Sequence, residues 1–459
     1  MSVLSPPPRS AESTRRGVTN GLVLANRGVG AALQFVVVVV VARAADARTL
    51  GAYLAFSALV RLVGTAVSFG QPWYALRAIP QADEVGDPAG SRRIVRQGAR
   101  AVSRSFLLVL AVGVPAGLVL ASHLGWQGGA WLVAVAALAV GGYAFTDVGV
   151  DALKARSRTH WGLFLDFSLT PLSVIAVAIA SILLGVTPGI FGLALAHAVG
   201  TLLSALASFV LWERDHRRRF PDAIDAGDGA LPTARAVRRS TMSFGLTSLL
   251  TTAAPSLPQV LLPFVMSLAD VGRVGAAIRL TSIPGTLVVG LSSVYAPRFA
   301  RLAIVDDRRG LTAALRESQI WVTGLYIPFA IVFIVAPQHV ALLLGHDFAG
   351  TATPLRILGI GQLVNALTGL APMLLTMCNN EMYVVTATAV SVVAMGGASI
   401  AAGAAWGVIG AAFGYASVVS LRNVLIYMRA AVVIRRGTLV SEHAPVGVRS
   451  RAATVVSDA

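Results

Sequence analysis

The sequence predicts an all-α polytopic membrane protein of about twelve transmembrane helices in two six-helix lobes, parallel repeats around a central cavity. Three observations predict it. Of 459 residues, 56% are hydrophobic and only 13% charged, with a mean hydropathy of +0.74, and apolar runs of about 20 residues, enough to cross roughly 30 Å of hydrocarbon, recur throughout. Basic residues fall in alternate inter-span segments. Two passages of the first half recur in the second.

In chain order the expected spans are 18–41, 50–69, 105–125, 130–146, 161–185, 189–212, 241–268, 274–295, 320–344, 355–375, 382–402 and 407–428. The first exceeds 20 residues, is interrupted by Arg27 and lacks a small-residue cleavage pattern, so it reads as a retained span and not a signal peptide. Expected domains are a disordered cytoplasmic tail (1–17), an N-terminal lobe (18–212), a cytoplasmic linker (213–240), a C-terminal lobe (241–428) and a largely disordered cytoplasmic tail (429–459). The tails are polar and carry proline or serine. The single cysteine, Cys378, excludes an internal disulfide.

Orientation follows from the basic residues, 37 in all and all arginine except Lys154. With the N-terminus in the cytoplasm, 29 of them fall in cytoplasmic segments and only Arg43, Arg48 and Arg273 outside. Both termini are therefore expected in the cytoplasm. The net charge of +16 is distributed as topology requires, which removes the need for a nucleic-acid partner.

The internal echoes define the lobes. DARTLGAYLAF at Asp46 returns as DVGRVGAAIRL at Asp270, aligning Gly51 with Gly275; one residue of slippage later Pro72 meets Pro297. PGIFGLALAHA at Pro188 returns as WGVIGAAFGYA at Trp406, aligning Gly192 with Gly410 and Ala198 with Ala416. A period of six spans keeps both halves in one orientation, the parallel-repeat plan of several transporters.

Three arginines, Arg27, Arg61 and Arg279, interrupt otherwise uncharged apolar stretches. Each costs about 2.5–3.5 kcal/mol to insert, so packing alone gives no reason to keep them and they become candidates for an anion site. Arg27 is expected roughly 10–13 Å from the cytoplasmic face, Arg61 near mid-depth and Arg279 about 8 Å below the outer face. A guanidinium fork suits phosphate oxygens better than an ammonium does. Arg356 and Arg422 lie near span ends and are expected to snorkel to the interfaces. Asp166, the one acidic residue clearly within a span, and His197 are the remaining candidate coupling groups; the alternatives are pairing of Asp166 with Arg158 and simple packing of His197, which aligns with Tyr415. Pro255, Pro258 and Pro263 in the seventh span and Pro284 in the eighth are candidate hinges.

The six-plus-six plan and the passages ARAADARTLGAYLAFSALVRL, LLLGHDFAGTATPLRILGIGQLV and WGVIGAAFGYA resemble the polysaccharide flippases of the multidrug/oligosaccharidyl-lipid/polysaccharide (MOP) exporter superfamily, which also holds the lipid II flippase. The resemblance covers nearly the whole chain. It implies a non-enzymatic flippase in a bacterial inner membrane, moving a polyprenyl-diphosphate-linked oligosaccharide to the outer leaflet by alternating access for polysaccharide or lipopolysaccharide assembly. It also implies membrane lipids and polysaccharide-assembly proteins as partners and no cofactor or metal. In the lipid II flippase branch, arginines on the first, second and eighth spans hold the diphosphate, and Arg27, Arg61 and Arg279 occupy those spans here. That branch's sodium site uses acidic residues of the seventh and eleventh spans, and 241–268 and 382–402 contain none.

Other functions fit less well. A cation-type drug exporter of the superfamily needs an acidic cavity, whereas five arginines face one aspartate in these spans. A membrane glycosyltransferase or polymerase needs acidic or histidine groups on sizeable outer loops, and the loops expected at 269–273 and 403–406 are too short. The 71–104 loop lacks a major-facilitator signature. A transport-dead scaffold remains open at this stage.

Overall fold

A computed structural model describes residues 9–123, 128–221 and 234–436, and among these the chain is helical with short breaks and no strand. Fifteen helices follow one another: α1 (Arg9–Ala44), α2 (Ala47–Ser68), α3 (Gln71–Glu84), α4 (Pro88–His123), α5 (Gly129–Ala155), α6 (Thr159–Phe167), α7 (Leu169–Leu183), α8 (Ile190–Arg219), α9 (Ala234–Leu261), α10 (Leu268–Ile304), α11 (Arg308–Val335), α12 (Pro337–Leu344), α13 (Ala352–Leu367), α14 (Ala371–Met377) and α15 (Glu381–Arg436). Eight stretches among the described residues are long and apolar enough to cross a membrane. One of them, α15, is broken at Trp406–Gly407, where Gly407 has φ 60°, and supplies two segments. With α1, α9 and α10, twelve helical segments coincide with the twelve expected spans. The chain is a multi-pass membrane protein.

Two compact units are formed, Met1–Val37 with Val63–Ser248 and Val38–Leu62 with Leu249–Ala459. The expected lobes met only in the 213–240 segment; in the structure the division falls within α1, α2 and α9.

In the first unit α5 and α8 pack through small residues. A Cβ on Gly142 would fall 2.8 Å from the Leu202 nitrogen, and Thr146 donates to the carbonyls of Gly142 (2.8 Å) and Thr201 (3.1 Å). Without a hydrophobic driving force between helices in lipid, such close backbone approach is what holds them. Tyr74, Ile79, Val95, Leu153, Leu165 and Trp212 form a further core. In the second unit α2 crosses α10 so closely that a Cβ on Gly51 would overlap the Leu268 carbonyl and one on Gly272 the Ala47 carbonyl. The echoing segments thus pack on each other. Phe299, Leu311, Leu315, Leu374 and Ile426 centre a second core.

Several boundaries differ from the sequence reading. Residues 9–17, expected as a tail, begin α1, while 1–8 and 437–459 lie outside the described residues. Where they are described, the expected loops at 71–104, 213–240 and 297–319 are largely helix: α3, long extensions of α4, α8, α9 and α10, and the start of α11. The expected outer loop 269–273 is the first turn and a half of α10, capped by Ser267, whose Oγ accepts from the Asp270 amide. The fifth span breaks at Ser168, the tenth at Thr368–Leu370 around Gly369 (φ 59°), and the ninth ends at Val335, ahead of Pro337. α9 continues through Pro255 and Pro258 and tightens to a 3-10 turn only at Leu262–Phe264; α10 continues through Pro284.

Candidate functional site

A run of i, i+4 spacing puts Tyr53, Ser57 and Arg61 on one stripe of α2, and the same spacing puts Gly275 and Arg279 on one stripe of α10. Gly275 lets α10 approach; a Cβ there would meet Leu54 Cδ1 at 2.8 Å. The approach brings the stripes together. Arg279 Nη2 donates to Ser57 Oγ at 2.9 Å, and Ser57 in turn donates to the Leu54 carbonyl at 3.0 Å. Because the hydroxyl proton is committed to that carbonyl, its oxygen is left as an acceptor that orients the guanidinium. Arg61, one turn along and exposed, is near enough to repel the Arg279 charge, while the buried Tyr53 phenol lies within the same electrostatic reach. Between them α2 and α10 carry a single acidic residue, Asp270, which pairs with Arg273 (2.8 Å). This corner of the second unit is a positive centre. Since α10 begins at Leu268 and not at 274, Arg279 sits roughly 16 Å into its helix, deeper than the sequence suggested.

Arg27 lies in α1, but its side chain falls outside the described residues. The structure therefore unites two of the three predicted arginines, Arg61 and Arg279.

Asp166 sits in the first unit on α6, where Lys154 Nζ binds it at 3.3 Å and Asp151 at 2.9 Å. The expected partner Arg158 is instead bound to Asp215 (2.8 Å). Beside this pair Asp147 accepts from Ser68 Oγ at 3.1 Å and is repelled by the Asp166 and Asp151 charges. Sequence reasoning missed Asp147 and Asp151 because it ended the fourth span at 146; their i, i+4, i+7 spacing with Lys154 was the available signal. His197 is half-buried on α8. Arg356 is exposed and donates to the Ile334 carbonyl at 3.0 Å. Arg422 is half-buried, and its Nε and Nη2 both donate to Asn423 Oδ1 (3.3 and 3.2 Å).

Beyond the sixth span, the C-terminal end of α8 holds a buried basic network. Arg156 grips Asp83 with Nε and Nη2 (3.0 and 3.1 Å), donates Nη2 to His216 Nδ1 (3.0 Å) and lies over the Trp212 and Phe220 rings. Burial, then the Arg156 charge, holds His216 below its ordinary proton affinity.

No protein-family model matches this chain, and no curated protein matches it in sequence. Solved structures do. An inward-facing multidrug resistance MATE family transporter of the MOP superfamily has a TM-score of 0.72 at 14% identity, covering 91% of this chain and 98% of that one. The fold is that of the MATE transporters of the MOP superfamily. An outward-facing MATE transporter matches with a TM-score of 0.62 at 14% identity (91% and 96% covered). A Pyrococcus furiosus MOP superfamily transporter, for which reverse polarity of the binding pocket suggests a different function, matches at 0.60 and 14% identity (91% and 95%).

Proposed function

We propose that this protein is an alternating-access flippase that carries a polyprenyl-diphosphate-linked oligosaccharide from the inner to the outer leaflet of a bacterial inner membrane, with both termini cytoplasmic. The observation that carries this reading is the Arg279–Ser57–Arg61 cluster. Two guanidinium groups that repel each other, on helices with one peripheral acid between them, favour a multiply charged anion over a cationic drug. Arg27 completes the binding set. Similarity to transporters solved inward- and outward-facing supports alternating access, and the reverse polarity of the binding pocket in the Pyrococcus furiosus protein, which suggests a different function for it, sets a precedent within the fold. Lipid II is the nearest alternative cargo and multidrug export the next.

Asp166 couples transport to protons within the Asp147–Asp151–Lys154 group, where Asp151 and Asp166 share one ammonium and Asp147 is held by the Ser68 hydroxyl. His197 is the second coupling candidate.

The test is complementation in cells that depend on this protein for surface glycan, with variants at matched membrane abundance. Arg61→Ala and Arg279→Ala should be well folded and inactive, and Arg61→Lys should recover part of the activity. Full activity in both alanine variants removes the anion site.

A further inference from the structure

A second polar group, at membrane depth in the second unit, has a direction built into it. Between α13 and the second arm of α15, Arg422 Nε and Nη2 donate to Asn423 Oδ1; Asn423 Nδ2 donates to Asn365 Oδ1 at 2.7 Å; and Asn365 Nδ2 donates to Gln362 Oε1 at 3.1 Å. Every side-chain carbonyl in the row is an acceptor already engaged. What remains at the two ends is the Nη1 amino group of Arg422 and the Nε2 amino group of Gln362, both donors, both on half-buried side chains, and neither with a partner among the described residues. Each bond in such a row polarises the next, so the terminal donors are strengthened.

The charge of Arg422 is also unmatched. Among the described residues no carboxylate pairs with it, and its anchor, Asn423, is a buried neutral amide. Two turns further along, Arg429 Nη2 reaches Asn380 Oδ1 (3.0 Å) at the α14–α15 turn and lies over Tyr383. Arg422 lies about 10 Å from it along the helix axis and is bonded to Asn423, which in turn reaches Asn365 of α13. Helix α10, which carries Arg279, packs against both α13 and α15.

We propose that the Arg422–Asn423–Asn365–Gln362 row is a glycan subsite for an acidic sugar, with Arg422 taking the carboxylate and Gln362 a neighbouring hydroxyl oxygen. A donor-only row ending in an uncompensated guanidinium recognises an oxyanion flanked by hydroxyls, which is the pattern of a uronate. This rests on the flippase reading and adds to it the class of sugar carried.

The experiment measures binding of two lipid-linked diphosphate oligosaccharides of equal length, one ending in glucuronate and one in glucose, to the full-length protein in nanodiscs, with and without phosphatidylglycerol. Wild type should prefer the glucuronate ligand by about ten- to a hundredfold, the range of one charge-assisted bond. Arg422→Gln should reduce that ratio toward one while leaving the glucose ligand unchanged, whereas Gln362→Leu, at the far end of the row, should weaken both ligands, because both carry the hydroxyl it binds. Arg61→Ala should weaken both ligands equally. Equal wild-type affinity for the two, a preference that survives Arg422→Gln, or competition by phosphatidylglycerol that abolishes the preference overturns the subsite. If neither ligand binds, the flippase reading fails with it, a pattern distinct from equal binding of both.

Discussion

Arg61, Ser57 and Arg279 define the cluster at the scale of single residues. Ser57 does for Arg279 what a carboxylate would do without cancelling its charge: it fixes one nitrogen through a neutral hydroxyl. Losing one charge-assisted bond of about 1.5–3 kcal/mol should weaken cargo binding roughly ten- to a hundredfold in Arg61→Ala, read as Kd for a lipid-linked diphosphate. Ser57→Ala should cost less, because the guanidinium charge remains. The two arginines could be picked out from the sequence because charge at membrane depth is rare and costly. The bond to Ser57 could not, since serines are common in membrane helices and the pairing depends on how α2 crosses α10. Asp147 and Asp151 were hidden by a span boundary set where hydropathy falls, while α5 itself runs on to Ala155. In the proposed coupling group, Asp147→Asn should leave glycan binding intact and remove the response of flipping to a proton gradient; an unchanged response would exclude Asp147 from coupling.

Among the elements, α2 and α10 owe their contact to glycine. Gly51→Val would drive side-chain atoms into the Leu268 carbonyl, an overpacking of about 1–3 kcal/mol or more that backbone cannot easily relieve. It should lower Tm and membrane abundance, whereas Gly397→Ala in α15, with open space around it, should leave both unchanged or raise them; equal behaviour would mean the crossing is not a tight one. The C-terminal end of α8 should respond to pH. Folding lowers the proton affinity of His216, so the unfolded chain takes up the proton more readily and the contribution is whole above about pH 6.5, the free imidazole value, and is lost as pH falls below it through the folded value. The groups facing the ring are Arg156, Arg92, Glu213 and Asp83. Tm of wild type should fall more steeply between pH 7 and 5 than that of His216→Phe, which keeps the stacking on Trp212. Parallel curves would exclude this residue. Spans themselves were easy to read, because an apolar run of fixed length is the strongest signal a chain carries. The helical extensions of α4, α8 and α10 beyond the bilayer were not, because arginine-rich sequence reads equally as loop or as solvated helix.

Over the whole molecule, the all-helical membrane fold was legible from composition and spacing, and its similarity to MATE transporters at 14% identity supports that reading through the fold alone. Cargo was less legible. A sugar is recognised by amides and hydroxyls scattered along the sequence, such as Gln362, Asn365 and Asn423, which acquire meaning only when α13 and α15 bring them into one row. The repeat has a local counterpart in the α2–α10 crossing: shifting the Ala47–Gly272 contact by the 224-residue period returns it to within one residue of itself. The central claim is that a positive centre in this fold moves a diphosphate-linked glycan across the bilayer. It is tested most directly by reconstituting purified protein into liposomes and following the arrival of a labelled polyprenyl-diphosphate oligosaccharide in the opposite leaflet. The account predicts protein-dependent flipping that is abolished in Arg279→Ala, with that variant still folded by its Tm; flipping at the wild-type rate in Arg279→Ala, or none by wild type while a cationic drug is transported, would contradict it.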